Sequence, residues 1–153
     1  MAKYYNKEEL YKKLQSFCAY RERCSFEVHQ KLQELEANND NTNYLIDKLK
    51  EDGFIDDKRF VETYVRSKLF NNKWGKLKIK NNLKQLNIPE KYINNALDSI
   101  DQEEYKNILQ TVINKKNNEI NDTDKEIKNN KIVRHCIQKG FEPPLVWQLL
   151  NDS

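Results

Sequence analysis

Three segments of this 153-residue chain resemble one another at a spacing of about 50 residues. In each segment, a mixed apolar and polar run is followed by a closing leucine: residues 31–35 precede Leu49, residues 82–89 precede Leu97, and residues 136–144 precede Leu149. Self-similarity at a fixed period is typical of repeat proteins, in which each unit buries its apolar face against its neighbours. The sequence therefore predicts three stacked units.

Each unit is predicted to contain three helices. Capping residues predict helix starts at Asn6, Ser25, Asp56 or Asp57, Asp101 and Thr123, and glycines predict helix ends at Gly53, Gly75 and Gly140. Apolar residues between 60 and 69 recur at helical spacing, and no strand-like alternation persists anywhere. The fold class expected is all-α: tandem three-helix repeats stacked into an elongated, curved molecule. The unit boundaries expected are residues 1–52, 53–100 and 101–153.

Positive charge is concentrated in the middle unit. The chain has 27 basic and 24 acidic residues, for a net charge of +3. Residues 63–89 contain no carboxylate and seven cations, which are Arg66, Lys68, Lys73, Lys76, Lys78, Lys80 and Lys84. An ordinary soluble surface mixes both signs, whereas an acid-free face attracts phosphate backbones or an acidic protein surface. This window is therefore the principal candidate for binding nucleic acid or an acidic protein surface.

Helical spacing within the window predicts a ridge of lysines. If residues 75–86 form a helix, Lys76, Lys80 and Lys84 line one side of it, next to a buried apolar stripe. Each lysine could approach a backbone phosphate, and Trp74 could stack on an exposed base. The alternative interpretation is a solvated lysine-rich face with Trp74 as a packing residue.

Weaker candidates for the same role lie in the outer units, where cations are mixed with acids. They are Arg21, Arg23, Lys128, Lys131 and Arg134.

The residues offer no positive sign of catalysis. Asp56 and Asp57 precede a predicted helix, where capping explains both carboxylates without a metal. Cys18, Cys24 and His29 lack a fourth ligand and a standard zinc spacing, and no nucleophile or phosphate-loop motif occurs. We expect a protein that is not an enzyme and has no cofactor or metal. Because no apolar run is long enough for a membrane span or signal peptide, we expect a cytoplasmic protein with no membrane partner.

Four stretches resemble the RecX family of bacterial regulators of the RecA recombinase. They are residues 21–32, with Arg21-Glu22-Arg23-Cys24-Ser25; residues 53–64, with Gly53-Phe54-Ile55-Asp56-Asp57; residues 73–88, with Lys73-Trp74-Gly75; and Lys139-Gly140-Phe141. The middle unit matches most specifically. Val61 stands where the family commonly has alanine, and the third unit departs most from the pattern.

This resemblance implies a tandem three-helix protein without enzymatic activity that lies in the groove of the RecA–DNA filament. Such a protein would restrain ATP hydrolysis and strand exchange, and could bind single- or double-stranded DNA itself. Two other functions stay open at this point: an independent helical DNA-binding module, and a protein-interaction scaffold without a nucleic-acid role. The absence of a heptad seam favours a monomer.

Overall fold

The computed structural model describes residues 4–152, which fold into nine α-helices without a β-strand. The helices are α1 (Lys7–Tyr20), α2 (Ser25–Glu34), α3 (Asn39–Glu51), α4 (Asp57–Phe70), α5 (Lys76–Lys84), α6 (Glu90–Asp98), α7 (Gln102–Glu119), α8 (Lys125–Gln138) and α9 (Pro143–Asn151). They pack most extensively in threes, as α1–α3, α4–α6 and α7–α9, which we call units 1, 2 and 3. The all-α fold of three-helix repeats is thus confirmed.

Polar side chains define the helix starts. Asn6 and Glu9 form a reciprocal capping box at α1, and Asp56 and Asp101 cap α4 and α7 by accepting hydrogen bonds from backbone N–H groups. Asp56 therefore has the capping role expected from the sequence.

Three boundary residues differ from the sequence-based prediction. Cys24 rather than Ser25 is the N-cap of α2, and Asp124 rather than Thr123 caps α8. Gly75 does not end a helix: with φ −78° it is the N-cap of α5, while α4 already ends at Phe70. The reason in the last case is tertiary, because Gly75 meets the backbone of unit 3.

The repeat is visible in the backbone where the second helix of each unit ends. Glu36, Asn87 and Gly140 all adopt the left-handed conformation, with φ of 58°, 54° and 97°. Each lies just beyond the end of α2, α5 or α8 and reverses the chain toward the next helix. The segments that resemble one another in sequence therefore occupy equivalent positions in the fold.

The nine helices form two apolar cores. The first belongs to unit 1 and is closed by Ile55 from the following loop. The second is continuous through units 2 and 3 and also takes in Cys24, which is fully buried. Units 2 and 3 therefore share a core, whereas unit 1 has its own and meets unit 2 mainly through the start of α2.

Polar contacts hold unit 1 to unit 2. Asp57 accepts hydrogen bonds from the backbone N of Ser25 at 2.8 Å and from its Oγ at 3.0 and 3.1 Å. Arg59 Nε donates to Glu22 Oε2 at 2.8 Å. Asp57 thus joins two units, a role that its position in the sequence does not reveal.

The joint between units 2 and 3 is a direct backbone contact. Gly75 N donates to Lys139 O at 2.7 Å, and Leu77 N donates to Gly140 O at 3.0 Å. Beside it, the hydroxyl of Tyr105 accepts from Lys76 N at 3.0 Å and donates to the Glu142 carboxylate. Backbone and side-chain bonds together fix the orientation of α5 relative to α8 and α9.

The solvent-accessible surface of the molecule is large for its mass. It is 9809 Å² for an 18.4 kDa chain, whereas a compact monomer of this mass exposes about 8,200 Å². An excess of about a fifth is consistent with units stacked in a row. Across residues 4–152, no helix combines the length and apolarity that crossing a membrane requires.

Candidate nucleic-acid interface

The seven cations of the acid-free window do not form one surface. Helix α5 buries Ile79 and Leu83. Lys80 and Lys84 lie on one side of this buried stripe, while Lys78 projects from the opposite side, as helical periodicity requires. The two sides meet different parts of the protein, and their electrostatic environments differ.

On the first side, the predicted lysine ridge is partly neutralised. Lys80 Nζ and Lys84 Nζ each lie 3.8 Å from the same oxygen of Glu90, at the start of α6. Lys76 Nζ lies 4.8 Å from the centre of the Tyr105 ring. Glu90 is the residue that directly follows the acid-free window. The window itself therefore contains no carboxylate, but in the folded protein the Glu90 carboxylate lies next to two of its lysines.

On the second side, lysines surround Trp74. Its ring is half-buried and packs against the shared core of units 2 and 3. Lys78 Nζ lies 4.4 Å and Lys68 Nζ 4.8 Å from the ring centre, within the range of cation–π attraction. Trp74 is therefore both a packing residue and a partner of two cations.

Lys139 extends this group across the joint. Its carbonyl accepts the hydrogen bond from Gly75, and its Nζ donates to Asn72 O at 3.1 Å. Partial burial lowers the pKa of Lys139, and repulsion from Lys78, Lys115 and Lys73, in that order, lowers it further. Unit 3 thus adds cations to the same place.

Lys73 has an unusual backbone conformation. Its φ is 54°, in the left-handed region that costs a side-chain-bearing residue about 1 kcal/mol or more. Its Nζ donates to Phe70 O at 3.4 Å. The loop between α4 and α5 therefore holds a lysine where glycine or asparagine would be less strained.

We call Lys68, Lys73, Lys78, Lys115 and Lys139, together with Trp74, the joint cluster. Lys115 and Lys139 were not among the candidate residues predicted from the sequence; they lie in unit 3, 42 and 66 residues after Lys73. No spacing in the sequence relates them to the acid-free window. Only the contact of unit 3, through the turn at Lys139 and Gly140, with the start of α5 brings them to the acid-free window.

The positive surface continues from the joint cluster along α7 and α8. His135 is half-buried, and its pKa is lowered first by burial and then by the charges of Lys116 and Lys139. Glu119 opposes this shift of the pKa, and Lys115 adds a smaller lowering effect. His135 also lines a cleft together with Lys116, Lys131 and Arg134. In that cleft Lys131 pairs with Asp122, and Lys116 lies 3.7 Å from Glu119. This end of the surface is therefore mixed in charge.

The remaining candidates lie apart from the joint cluster. The guanidinium of Arg66 lies over the Phe70 ring, in a groove that also contains Glu62, Asp101 and Glu104. Lys128 is half-buried in the first half of α8.

The arginines of unit 1 are engaged in local structure. Arg21 pairs with Glu27. Arg23, whose side chain is only 10% exposed, donates to Phe17 O at 2.9 Å and lies over the Phe17 ring. Neither arginine reaches the joint cluster, and Arg23 has little surface to offer a ligand.

The joint cluster is chemically suited to polyanions. None of the ion pairs found in residues 4–152 includes Lys68, Lys73, Lys78, Lys115 or Lys139. Mutual repulsion among cations is relieved when an anion binds between them. Lysine side chains at this density bind phosphate groups without reading a base sequence.

Comparison with known proteins identifies relatives of this fold. The family model for the second three-helix domain of RecX matches residues 56–97. Regulatory protein RecX of Clostridium tetani is 35% identical over 127 residues, which cover 82% of this chain and 58% of that protein. Regulatory protein RecX of Oceanobacillus iheyensis is 28% identical over 136 residues, covering 89% and 50%. The chain thus spans little more than half the length of these curated relatives.

Solved structures agree with this result. The crystal structure of RecX from Lactobacillus salivarius superposes with a TM-score of 0.86 at 25% identity, covering 95% of each chain. A second crystal structure, of a regulatory protein RecX, has the same TM-score at 21% identity and covers 96% of this chain and 73% of the other. At that lower identity, the second similarity establishes the fold alone.

Proposed function

The chain belongs to the RecX family, and from that premise we propose that it is a non-catalytic regulatory protein of the RecA–DNA filament. In this proposal it binds the filament and restrains ATP hydrolysis and strand exchange. The observation that carries the proposal is the similarity to RecX over 95% of the chain, in sequence and in three-helix architecture. We also propose that the repeat units are residues 1–52, 53–100 and 101–153. The protein is proposed to be a monomer in the cytoplasm.

The surface chemistry supports a filament as the partner. A row of units presents an extended face, and the joint cluster adds cations that no carboxylate of the described chain pairs with. A recombinase filament combines a protein groove with phosphate groups. The groove can contact the extended face, and the phosphates can contact the joint cluster. Cations mainly speed association and orient the complex, whereas buried aromatic contacts contribute more to its lifetime.

The direct test is RecA-driven ATP hydrolysis on single-stranded DNA. We expect the purified protein to lower the steady-state rate at near-stoichiometric or lower ratios to RecA, and to slow strand exchange in parallel. Folded protein with no effect on either reaction would refute the proposal.

A second candidate function is binding to DNA without a recombinase. The observation in its favour is that the joint cluster is built entirely from this chain and is complete before any partner binds. Three-helix units also resemble helix-turn-helix modules. Binding to one duplex sequence in the absence of RecA, without an effect on the filament, would support this candidate over the first.

A scaffold without a nucleic-acid role is the third possibility. It predicts that lysine-to-glutamine changes throughout the acid-free window leave both DNA affinity and filament inhibition unchanged.

A further inference from the structure

We infer that a single nucleic-acid strand binds across the joint of units 2 and 3, held by Lys73, Lys78 and Lys139, and not along the Lys80–Lys84 side of α5. The inference rests on the proposed function, since it locates the surface that contacts the DNA of the filament. It differs from the sequence-based prediction, which placed phosphate contacts along the ridge of Lys76, Lys80 and Lys84.

The first argument is that the joint holds these lysines in place. Gly140 follows Lys139, and a β-carbon built on Gly140 would lie only 2.4 Å from the β-carbon of Lys78. Together with the 2.7 Å bond from Gly75 N to Lys139 O, this contact fixes the backbones that carry both lysines. Little ordering entropy of the backbone then remains to be lost when a ligand binds.

The second argument is the difference in charge balance between the two sides of α5. Lys80 and Lys84 share Glu90, whereas within residues 4–152 no carboxylate lies within ion-pair distance of Lys78 or Lys139. An incoming phosphate would compete with Glu90 on the first side but would be the first counter-charge on the second. The second side is therefore the stronger anion-binding surface.

The third argument comes from Lys73. A lysine retained in a left-handed turn, where glycine would relieve strain, is explained if its charge is needed at that point of the surface. Its neighbour Trp74 is half-buried and has the ammonium groups of Lys78 and Lys68 at 4.4 and 4.8 Å from its ring centre. A flat aromatic surface beside cations is a feature of strand-binding sites.

The fourth argument concerns the kind of anion. The cations come from α4, the loop before α5, α5, α7 and the residue that follows α8, and Lys78, Lys115 and Lys73 all repel the charge of Lys139. Several separate cations around one joint fit successive phosphates of a polymer better than one isolated phosphate group. An aromatic ring beside them fits unstacked bases, which only a single strand offers freely.

The test compares two double variants that remove the same charge from neighbouring positions. We would measure fluorescence anisotropy of a labelled oligo-dT strand with the wild type, with Lys78→Gln/Lys139→Gln and with Lys80→Gln/Lys84→Gln. We expect the first variant to lose about tenfold or more in affinity and the second to stay within about threefold. The slope of log affinity against log salt should fall by about 1.4 in the first variant only, since each lost phosphate contact on a single strand accounts for about 0.7.

Two additions separate a lost contact from a lost fold. Lys115→Gln changes an exposed residue of α7 outside the joint bonds, and we expect it to weaken binding by about threefold with unchanged circular dichroism. In a Trp147→Phe background, Trp74 becomes the only tryptophan, and its emission should change when the strand binds.

The inference is wrong if the Lys80/Lys84 variant loses as much affinity as the Lys78/Lys139 variant, or if Trp74 emission does not respond to a saturating strand. It is also wrong if the wild type binds no strand at 50 mM salt. The RecA ATPase assay is independent of these results, because filament inhibition by a protein that fails them would leave the proposed function standing and remove only this surface.

Discussion

Gly75 and Gly140 bring the backbones of two repeat units into van der Waals contact. A β-carbon built on Gly75 would lie 2.2 Å from the carbonyl carbon of Gly140, closer than real β-carbons approach atoms elsewhere in the chain. Both positions must therefore be glycine for the second and third units to meet as they do. The same two units share one core, whereas unit 1 has its own.

Gly75→Ala is expected to destabilise the protein strongly, since the joint must open to admit the methyl group. Overpacking typically costs 1–3 kcal/mol, and a backbone clash belongs at about the upper end of that range or above it. The measurement is urea unfolding followed by circular dichroism. Gly53→Ala is the matched control: its φ of 81° costs about 1–2 kcal/mol, but nothing lies within 4 Å of the new methyl. Equal losses in the two variants would contradict the steric explanation.

Tyr105→Phe should lower the free energy of unfolding by about 1–3 kcal/mol. The hydroxyl of Tyr105 satisfies both Lys76 N and the carboxylate of Glu142, and its removal leaves two polar groups without that partner. Tyr20→Phe serves as control, because Tyr20 is 84% exposed and such surface changes usually stay within about 0.5 kcal/mol. Equal stability of the two variants would show that the hydrogen bonds of Tyr105 contribute little.

Lowering the pH should reduce the free energy of unfolding, because His135 becomes protonated. Its pKa is lowered in the folded protein, first by burial and then by the charges of Lys116, Lys139 and Lys115. The unfolded chain therefore takes up the proton more readily, and stability that is present above pH 6.5 declines as the pH falls below it. Urea unfolding at pH 7.5 and pH 5 should show a smaller decline for His135→Gln than for the wild type. A decline of the same size in both would exclude this contribution of His135.

The contact between units 1 and 2 should appear as coupling between Ser25 and Asp57. The Ser25 hydroxyl lies 3.0 and 3.1 Å from the two carboxylate oxygens of Asp57. A double-mutant cycle of Ser25→Ala and Asp57→Ala should therefore give a coupling free energy of about 1 kcal/mol. The same cycle with Asp47→Ala, an exposed residue of α3, should yield none. Additive effects of Ser25→Ala and Asp57→Ala would mean that the hydrogen bonds do not hold the units together.

Glu90→Gln should change stability by less than about 0.5 kcal/mol, because its pairs with Lys80 and Lys84 are exposed. If the strand binds at the joint cluster, the affinity for oligo-dT should stay within about twofold of the control Glu103→Gln, an exposed change in α7. Anisotropy titrations of both variants provide the measurement. A tenfold gain specific to Glu90→Gln would instead place the strand on the Lys80–Lys84 side.

Local patterns in the sequence predicted much of the fold correctly. The capping box of Asn6, the caps at Asp56 and Asp101 and the helical stripe from Phe60 to Leu69 depend on neighbours within a few residues, and all appear in the structure. Thr123 was a wrong prediction because Asp124 is a competing cap one residue away. Gly75 was wrong for a different reason: its partner Gly140 lies in another unit.

At the candidate site, too, the sequence predicted features that depend on nearby residues and missed those that depend on tertiary contacts. Helical periodicity correctly places Lys76, Lys80 and Lys84 on one side of a buried stripe, but periodicity does not reveal that Glu90 lies beside two of them. Nor does it reveal that Lys139 joins Lys73 and Lys78. Whether any of these lysines contacts DNA stays a prediction that the titrations test.

By itself, the sequence determined the helices, their grouping in threes and the excess of positive charge in the middle unit, since these depend on residues close together in the chain. Only the tertiary structure decided which charges are neutralised and which accumulate. The physical reason is that electrostatic energy depends on distance in space, and the packing of Gly140 against Gly75 brings lysines from separate units together.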